Sequence, residues 1–274
     1  MEWIENLRPV VAFLYLAVSA LFIAGMLGRR AGLKRAASVL AGVGFALHTL
    51  GLAGRAAVAG TEALSQAPFY LSLLAWALLL TFFIVRRAMH MEFLALTSAP
   101  LALLLYLASL AFTSKVALPK ALAGPFLALH IGSLFVSIAL LAMAFGAGVI
   151  FIHLERKIKT KEKLSGFSKD LPSLTAFDTA NQWAVMVGFP LFTLGLVSGF
   201  VWGHFTWGKA ITWDPKEVVS AAIWVLYAYL FHQRLTAGWR GRKAAKLAIL
   251  VFVFSLVSLA GVNFLLPTHH SFNQ

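Results

Sequence analysis

The chain has 274 residues, of which 60% are hydrophobic and 12% charged, and its formal net charge is +13. A soluble domain carries roughly 25% charged residues, and the apolar residues here form long runs rather than the alternating pattern of a membrane β-barrel. Each run approaches the ~20 residues that a helix needs to cross a bilayer core of ~30 Å. We therefore predict an all-α integral membrane protein whose spans are all helical.

In chain order, the apolar runs predict eight transmembrane helices in a single domain over residues 1–274, since no connection is long enough to form a further domain. The first span is not expected to be a cleaved signal peptide. Its apolar run is longer than the usual run of about 7–15 residues, and its positive charges follow it. The predicted spans lie near 9–28, 36–54, 69–85, 93–113, 126–152, 182–202, 217–236 and 247–266.

The basic residues divide unequally between the two sets of connections that eight spans create. Seventeen of the 23 lysines and arginines lie in one set, and six lie in the other. This positive-inside bias predicts that both termini face outside. It also indicates that the positive charge meets the anionic headgroups of the lipid bilayer rather than nucleic acid. The six outer residues are Arg8, Arg55, Lys115, Lys120, Lys209 and Lys216.

The predicted outer connection over residues 202–217 contains the most unusual stretch of the chain, FTWGKAITWDPKEVV. Asp214 suits the N-cap of a helix, Pro215 suits the first helical position, and Glu217 completes a capping box. This part of the stretch therefore predicts the start of the seventh span.

A helix start does not explain the tryptophans in and beside this connection. Trp202, Trp207 and Trp213 lie within twelve residues of one another. One interpretation is an aromatic belt at the membrane interface, but belts are usually distributed around several helix ends. Gly203 and Gly208 would allow close backbone approach. The cluster is therefore also typical of a surface for a flat apolar ligand.

Histidines on the predicted outer side form a second candidate feature. His130 lies about one turn into the fifth span, and two further histidines follow the eighth. A histidine within a span is more often packed or hydrogen-bonded than a ligand, although intramembrane ionisable groups are candidates for function. Since imidazole is a common iron ligand, two of them with indoles against a porphyrin would make a haem site. The eight histidines are His48, His90, His130, His153, His204, His232, His269 and His270.

These residues resemble a known family. The stretch from Trp207-Gly208 to Trp213-Asp214-Pro215-Lys216-Glu217 is similar to the tryptophan-rich WWD signature of haem-handling membrane proteins. Its DPKE ending resembles the CcsA/ResC branch of System II cytochrome c biogenesis, whereas the related CcmC and CcmF proteins of System I usually diverge after the aspartate. Three further stretches agree, namely HTLGL from His48, VLYAYLFHQR ending at Arg234 and GVNFLLPTHHSF from Gly261.

The resemblance implies that haem b is held on the outer face by two histidines that flank the tryptophan-rich connection. By position these are His130 and His270. We favour His270 over His269 because the family's histidine directly precedes a Ser-aromatic pair, here Ser271 and Phe272. The remaining cofactor-binding residues that the resemblance implies in this connection are Trp202, Trp207, Gly208, Trp213 and Asp214.

A second haem site inside the membrane is also implied. The family places there a histidine that is followed by x-Arg, which His232 resembles. Its mate is thought to come from the partner protein, so His48 is the weaker candidate for this site. Transport of haem from the inner to the outer side would link the two sites.

Two stretches depart from the family's pattern. The usual form is close to WGxYWxWDPKE, but residues 209–212 read KAIT here, so the middle aromatic pair is missing. The family's early YES segment appears as Tyr70-Leu71-Ser72, without its glutamate. Trp202 would offset part of the lost aromatic surface.

The resemblance implies that the chain binds haem and delivers it to the outer face of the cell membrane for covalent attachment to the CxxCH motifs of apocytochrome c. A CcsB/ResB-like membrane protein would be its partner in a holocytochrome c synthase. The chain has no cysteine, so it would contribute positioning and axial ligands rather than thiol chemistry. The alternatives are a HemX-like assembly or regulatory membrane protein and a non-haem membrane transporter.

Overall fold

The computed structural model describes residues 2–60, 66–111, 125–164, 166–169, 171–209, 211 and 213–265. Across these ranges it contains eight α-helices and no strand, which confirms the predicted all-α fold. The first six helices are long and apolar enough to cross a membrane. The helices are α1 Glu2–Leu27, α2 Ala31–Ala59, α3 Ala67–Met89, α4 Ala95–Ala111, α5 Pro125–Lys159, α6 Leu174–Trp207, α7 Pro215–Leu235 and α8 Arg242–Leu265.

Each predicted span corresponds to one helix, with ends that differ by a few residues, and several helices extend well past the apolar run that predicted them. Helices α5 and α6 have 35 and 34 residues. At 1.5 Å per residue each is about 50 Å long, well beyond a bilayer core of ~30 Å. Helix α6 begins eight residues before its predicted start, because Ser173 caps it by accepting a hydrogen bond from the Ala176 N–H at 3.2 Å.

Side-chain contacts define the two ends of the helical bundle. We call the basic end the one where α5 ends and α6 begins. There, Arg234 at the end of α7 pairs with Asp178 in α6, and Arg242 at the start of α8 lies 3.6 Å from Glu155 in α5. We call the opposite end, where α6 ends at Trp207, the tryptophan end. The connections rich in lysine and arginine thus lie together, as the charge bias predicts.

Helix α5 lies at the centre of the bundle, where it packs most extensively against α6 and also contacts α3 and α8. Small residues allow this close packing. Gly188 in α6 leaves room for the side chain of Tyr227, and its carbonyl accepts a hydrogen bond at 2.8 Å from Ser137 in α5. This tight pair holds α5 and α6 side by side near the middle of the bundle, and the same two helices continue from there to the tryptophan end.

Candidate haem site at the tryptophan end

The start of α7 has the geometry that the sequence predicts. Asp214 is buried and is the N-cap, and its Oδ1 accepts a hydrogen bond at 2.9 Å from the Lys216 N–H. Pro215 occupies the first helical position. Glu217 accepts a hydrogen bond from the Trp213 N–H at 2.9 Å, one residue before the usual capping-box partner. The two carboxylates together fix the direction in which the chain enters α7.

Most of the predicted tryptophan-rich connection is helical rather than loop. Helix α6 continues to Trp207 and ends at Gly208, whose φ of 69° is the left-handed conformation that glycine adopts at low cost. Trp202 is therefore a buried helical residue. The side chain of Trp207 lies outside the described residues. Only a short connection separates α6 from α7.

The side chain of Trp213 projects from the connection between α6 and α7 into the surroundings. Its side chain is 78% exposed, and its φ of 59° is uncommon for a bulky residue. The hydrogen bond to Glu217 holds this backbone conformation. Phe205 and Ile211 are also exposed, and the ring of His204 lies edge-on to Phe205. These side chains form an exposed apolar surface at the tryptophan end, suited either to a flat ligand or to the membrane interface.

The side chain of His130 lies in a recess on the surface of α6 formed at Gly195 and Gly199, which we call the His130 seat. Its Nδ1 lies 2.6 Å from the Gly195 carbonyl oxygen, so this nitrogen carries the proton and donates it. The imidazole packs against Gly199, where an added Cβ would lie only 2.5 Å from the His130 Cε1. Among the described residues, the His130 ring makes no hydrogen bond other than the one to Gly195. This hydrogen bond fixes the tautomer in which Nε2 has a lone pair for a metal, as is usual for ligand histidines.

His48 has a different environment. It is buried between α1 and α3, with Nδ1 2.8 Å from the Tyr15 hydroxyl and Nε2 2.8 Å from the Ser72 Oγ. Tyr106 packs edge-on against its ring. Because both ring nitrogens have hydrogen-bond partners, His48 has no lone pair directed at a ligand in this structure. Ser72 is the serine of the YES-like segment, and this contact gives that serine a structural role.

His232 lies in the last turn of α7, towards the basic end, and is exposed on the surface of the bundle. Val225 and Tyr229 are exposed on the same helix at spacings that place them on one face with it. The histidine therefore faces outward, towards lipid or a neighbouring protein.

Arg234, the arginine of the predicted His-x-Arg pattern, has a different role from its neighbour. Its side chain is fully buried and pairs with Asp178 at 2.9 Å. It also donates to Asn181 Oδ1 and to the Trp239 carbonyl. Asp178 accepts a further hydrogen bond from the Gly241 N–H at 2.8 Å. This cluster joins α6, α7 and the connection to α8.

Sequence reasoning missed Asp178 and Asn181, because both precede the apolar run of the sixth span. The sequence did contain a signal for this pair. An aspartate and an asparagine three residues apart lie on one face of a helix, and a polar pair so close to the membrane would need a buried partner. The predicted ligand His270 lies outside the described residues, as does His269, so the pairing of His270 with His130 stays a prediction.

Comparison with known proteins shows the family. The family model described as "Cytochrome C assembly protein" matches residues 64–270, which is most of the chain. The chain belongs to this family. The match covers helices α3 to α8 and includes the His130 seat, the tryptophan end and the Arg234 cluster.

Individual relatives agree with the family match. The chain is 30% identical over 249 residues to the cytochrome c biogenesis protein CcsA of Prochlorococcus marinus strain MIT 9301, with 82% of this chain and 81% of that protein covered. It is also 30% identical over 284 residues to CcsA of Synechococcus sp. strain CC9605, covering 94% and 92% of the two chains. This family member is therefore a CcsA-type cytochrome c biogenesis protein.

A solved structure shows the same fold. The cytochrome c haem lyase CcmF aligns with 97% of this chain at a TM-score of 0.66 and 13% sequence identity. The chain spans 46% of the length of CcmF. The shared helical arrangement thus forms only part of that larger protein.

Proposed function

We propose that this CcsA-type chain binds haem at its tryptophan end and presents it to apocytochrome c for covalent attachment. The observation that carries the proposal is the environment of His130. Its Nδ1 donates to the Gly195 carbonyl, so Nε2 is left to serve as an axial ligand to iron. The seat lies beside the tryptophan end of α6, within the part of the chain that matches the cytochrome c assembly family.

Haem b is the proposed substrate, and the protein's residues bind and orient it. His130 would supply one axial ligand and His270 the second. The exposed indole of Trp213 offers an apolar face for the porphyrin beside the α7 start that Asp214 caps. Each cysteine thiol of a CxxCH motif would then add across a haem vinyl group, forming a C–S bond while the thiol proton goes to the other vinyl carbon. This addition involves no net oxidation and needs no cysteine from this chain.

A CcsB/ResB-like membrane protein is the proposed partner, and the exposed His232 supports this assignment. A histidine that faces out of the bundle can share an intramembrane haem with a ligand from a neighbouring protein. The proposed topology has the basic end in the cytoplasm and the tryptophan end outside, because of the positive-inside bias. Haem would then pass from the His232 side to the His130 side.

Absorption and electron paramagnetic resonance spectra of the purified full chain, with and without added haem, test the proposal. We expect His130→Ala and His270→Ala each to lose the bis-histidine spectrum and to lower haem affinity. His153→Ala is the matched control, because His153 is an exposed residue of the same helix towards the basic end. Imidazole added to His130→Ala should restore six-coordinate iron.

An unchanged axial-ligand spectrum in both variants would overturn the assignment of the outer site. Co-expression with a CcsB-like partner and an apocytochrome c separates the proposed function from the HemX-like alternative, which predicts haem binding without covalent attachment. A colourless protein that binds no haem would support the transporter alternative.

A further inference from the structure

A small cavity lies at the tryptophan end of α1, α2, α3 and α4, away from the seat of His130. Its volume is about 20 Å³, which is room for one or two water-sized oxygen atoms. Arg8, Arg55, His48, Ser72 and Tyr106 supply its polar lining. Nothing in the proposed haem chemistry uses these residues together.

The two arginines carry more hydrogen-bond donors than the described residues around them satisfy. Each guanidinium has five N–H donors and no acceptor. Arg8 donates to Glu5 at 2.7 Å and to the Ser109 carbonyl at 3.5 Å, while its Nε is buried without a partner. Arg55 lies 3.7 Å from the same Glu5 carboxylate, beyond hydrogen-bond distance, and has no other ion pair in the described ranges.

The charge of this cluster is also unbalanced. The side chains of Arg8 and Arg55 are 27% and 19% exposed, whereas the Glu5 carboxylate between them is 59% exposed. Among the described residues, two partly buried positive charges therefore share one negative charge that is itself mostly in solvent. Partly buried cations that lack hydrogen bonds are costly, so an additional anion at this position would be stabilised.

We propose that Arg8 and Arg55 bind an oxyanion, either a carboxylate or a phosphate, at the mouth of this cavity. A guanidinium pairs with both of these planar or tetrahedral anions through two parallel N–H donors. The cavity of about 20 Å³ has room for an oxygen atom of the anion, while the rest of the anion lies at its mouth. At this level in the membrane the anion comes either from the phosphate of an outer-leaflet phospholipid or from a propionate of a porphyrin.

Two binding measurements on the full chain distinguish these sources. The first is retention of phosphatidylglycerol, measured by native mass spectrometry of the detergent-purified protein. The second is the affinity for haem compared with haem dimethyl ester, in which both propionates are neutral. We expect the double variant Arg8→Gln/Arg55→Gln to weaken retention, or to remove the preference for haem over the ester, by at least about tenfold.

Two further variants complete the design. Arg86→Gln/Arg87→Gln removes the same charge at the basic end. It should lower phosphatidylglycerol retention less than Arg8→Gln/Arg55→Gln does, and it should leave the preference for haem over the ester unchanged. Glu5→Gln removes the competing acceptor and should tighten binding of the same anion several-fold, a gain that a folding defect cannot produce. A change in the lipid measurement alone assigns the phosphate, and a change in the ester comparison alone assigns the propionate.

The inference is overturned if Arg8→Gln/Arg55→Gln leaves both measurements unchanged, or if Glu5→Gln fails to tighten binding of either anion. This outcome is separate from the fate of the haem site. If the arginine variants retain wild-type binding while His130→Ala loses its axial-ligand spectrum, the proposed function stands and only the oxyanion site is rejected.

Discussion

Gly199 has a hydrogen atom where any other residue would place a carbon against the His130 ring. The added Cβ of Gly199→Ala would lie 2.5 Å from Cε1 and 2.6 Å from Nδ1, so the imidazole would have to leave its seat. Loss of the hydrogen bond to Gly195 would then release the ring from its fixed tautomer. We expect haem affinity to fall about 10–100-fold, as for other residues that orient a ligand histidine.

Gly132→Ala is the control for this prediction, because its added Cβ would meet no other helix among the described residues. Replacing a helical glycine by alanine favours the helix by up to about 1 kcal/mol, so this variant should keep haem and gain slightly in thermal stability. Haem titration, followed by the axial-ligand spectrum, measures the haem affinity of both variants. Equal haem affinity in the two variants would show that the His130 seat does not require Gly199.

His130 could be predicted from the sequence, but its seat could not. The position of a histidine near the end of an apolar run is visible in one dimension. The two glycines that receive it lie 65 and 69 residues further on, in another helix, and their role depends on how α5 and α6 pack. His48 shows the converse, because its burial between Tyr15 and Ser72 arises from contacts that no spacing along the chain reveals.

At the scale of single elements, the start of α7 depends on the Asp214 side chain. Asp214→Ala removes the acceptor for the Lys216 N–H and should reduce the free energy of unfolding by about 1 kcal/mol, the usual cost of losing an N-cap. Thermal unfolding of the purified protein, followed by circular dichroism, measures this loss.

Asp214→Asn separates the cap from the charge. Asparagine caps as well as aspartate, so this variant should retain the stability that Asp214→Ala loses. If haem binding also survives in Asp214→Asn, the aspartate acts through the helix start rather than through its charge. A loss of stability as large as that of Asp214→Ala would contradict the capping role.

The same cap was predictable because its signal is local. Asp214, Pro215 and Glu217 lie within four residues, at helix-start positions whose backbone requirements are known. The helix begins at Pro215 as predicted. The start of α6 was not predicted, since polar residues, among them Asp178 and Asn181, interrupt its first two turns and separate them from the apolar run. Ser173 caps that start, and the buried amide of Asn181 donates to the Ala144 carbonyl at 2.8 Å. Tertiary contacts thus extend α6 where hydropathy alone would end it.

At the scale of the whole molecule, Arg234 joins α6, α7 and the connection to α8 at the basic end. Arg234→Gln would leave the Asp178 carboxylate without its buried cation. Breaking a buried ion pair in this way costs about 3–5 kcal/mol. We expect a loss of about 3 kcal/mol in the free energy of unfolding, because Asp178 keeps its hydrogen bond from Gly241.

Arg242→Gln provides the comparison, since Arg242 lies 3.6 Å from Glu155 and its side chain is 48% exposed. A pair whose cation is about half in solvent contributes about 1 kcal/mol or less, and Glu155 keeps its other partner, Lys159, at 2.8 Å. Unfolding in detergent should therefore separate the two variants clearly. Similar losses in both would mean that the Arg234 cluster does not hold the helices together.

The distribution of basic residues predicts the orientation of the molecule in the membrane, and the absence of cysteine from the sequence makes this prediction directly testable. Single cysteines placed at Lys161 and Lys209 would lie in the α5–α6 and α6–α7 connections, at opposite ends of the bundle. We expect a membrane-impermeant maleimide to label Lys209→Cys in intact cells, and Lys161→Cys only after permeabilisation. The reverse pattern would place the His130 seat in the cytoplasm, where it could not deliver haem to an apocytochrome c outside the cell membrane.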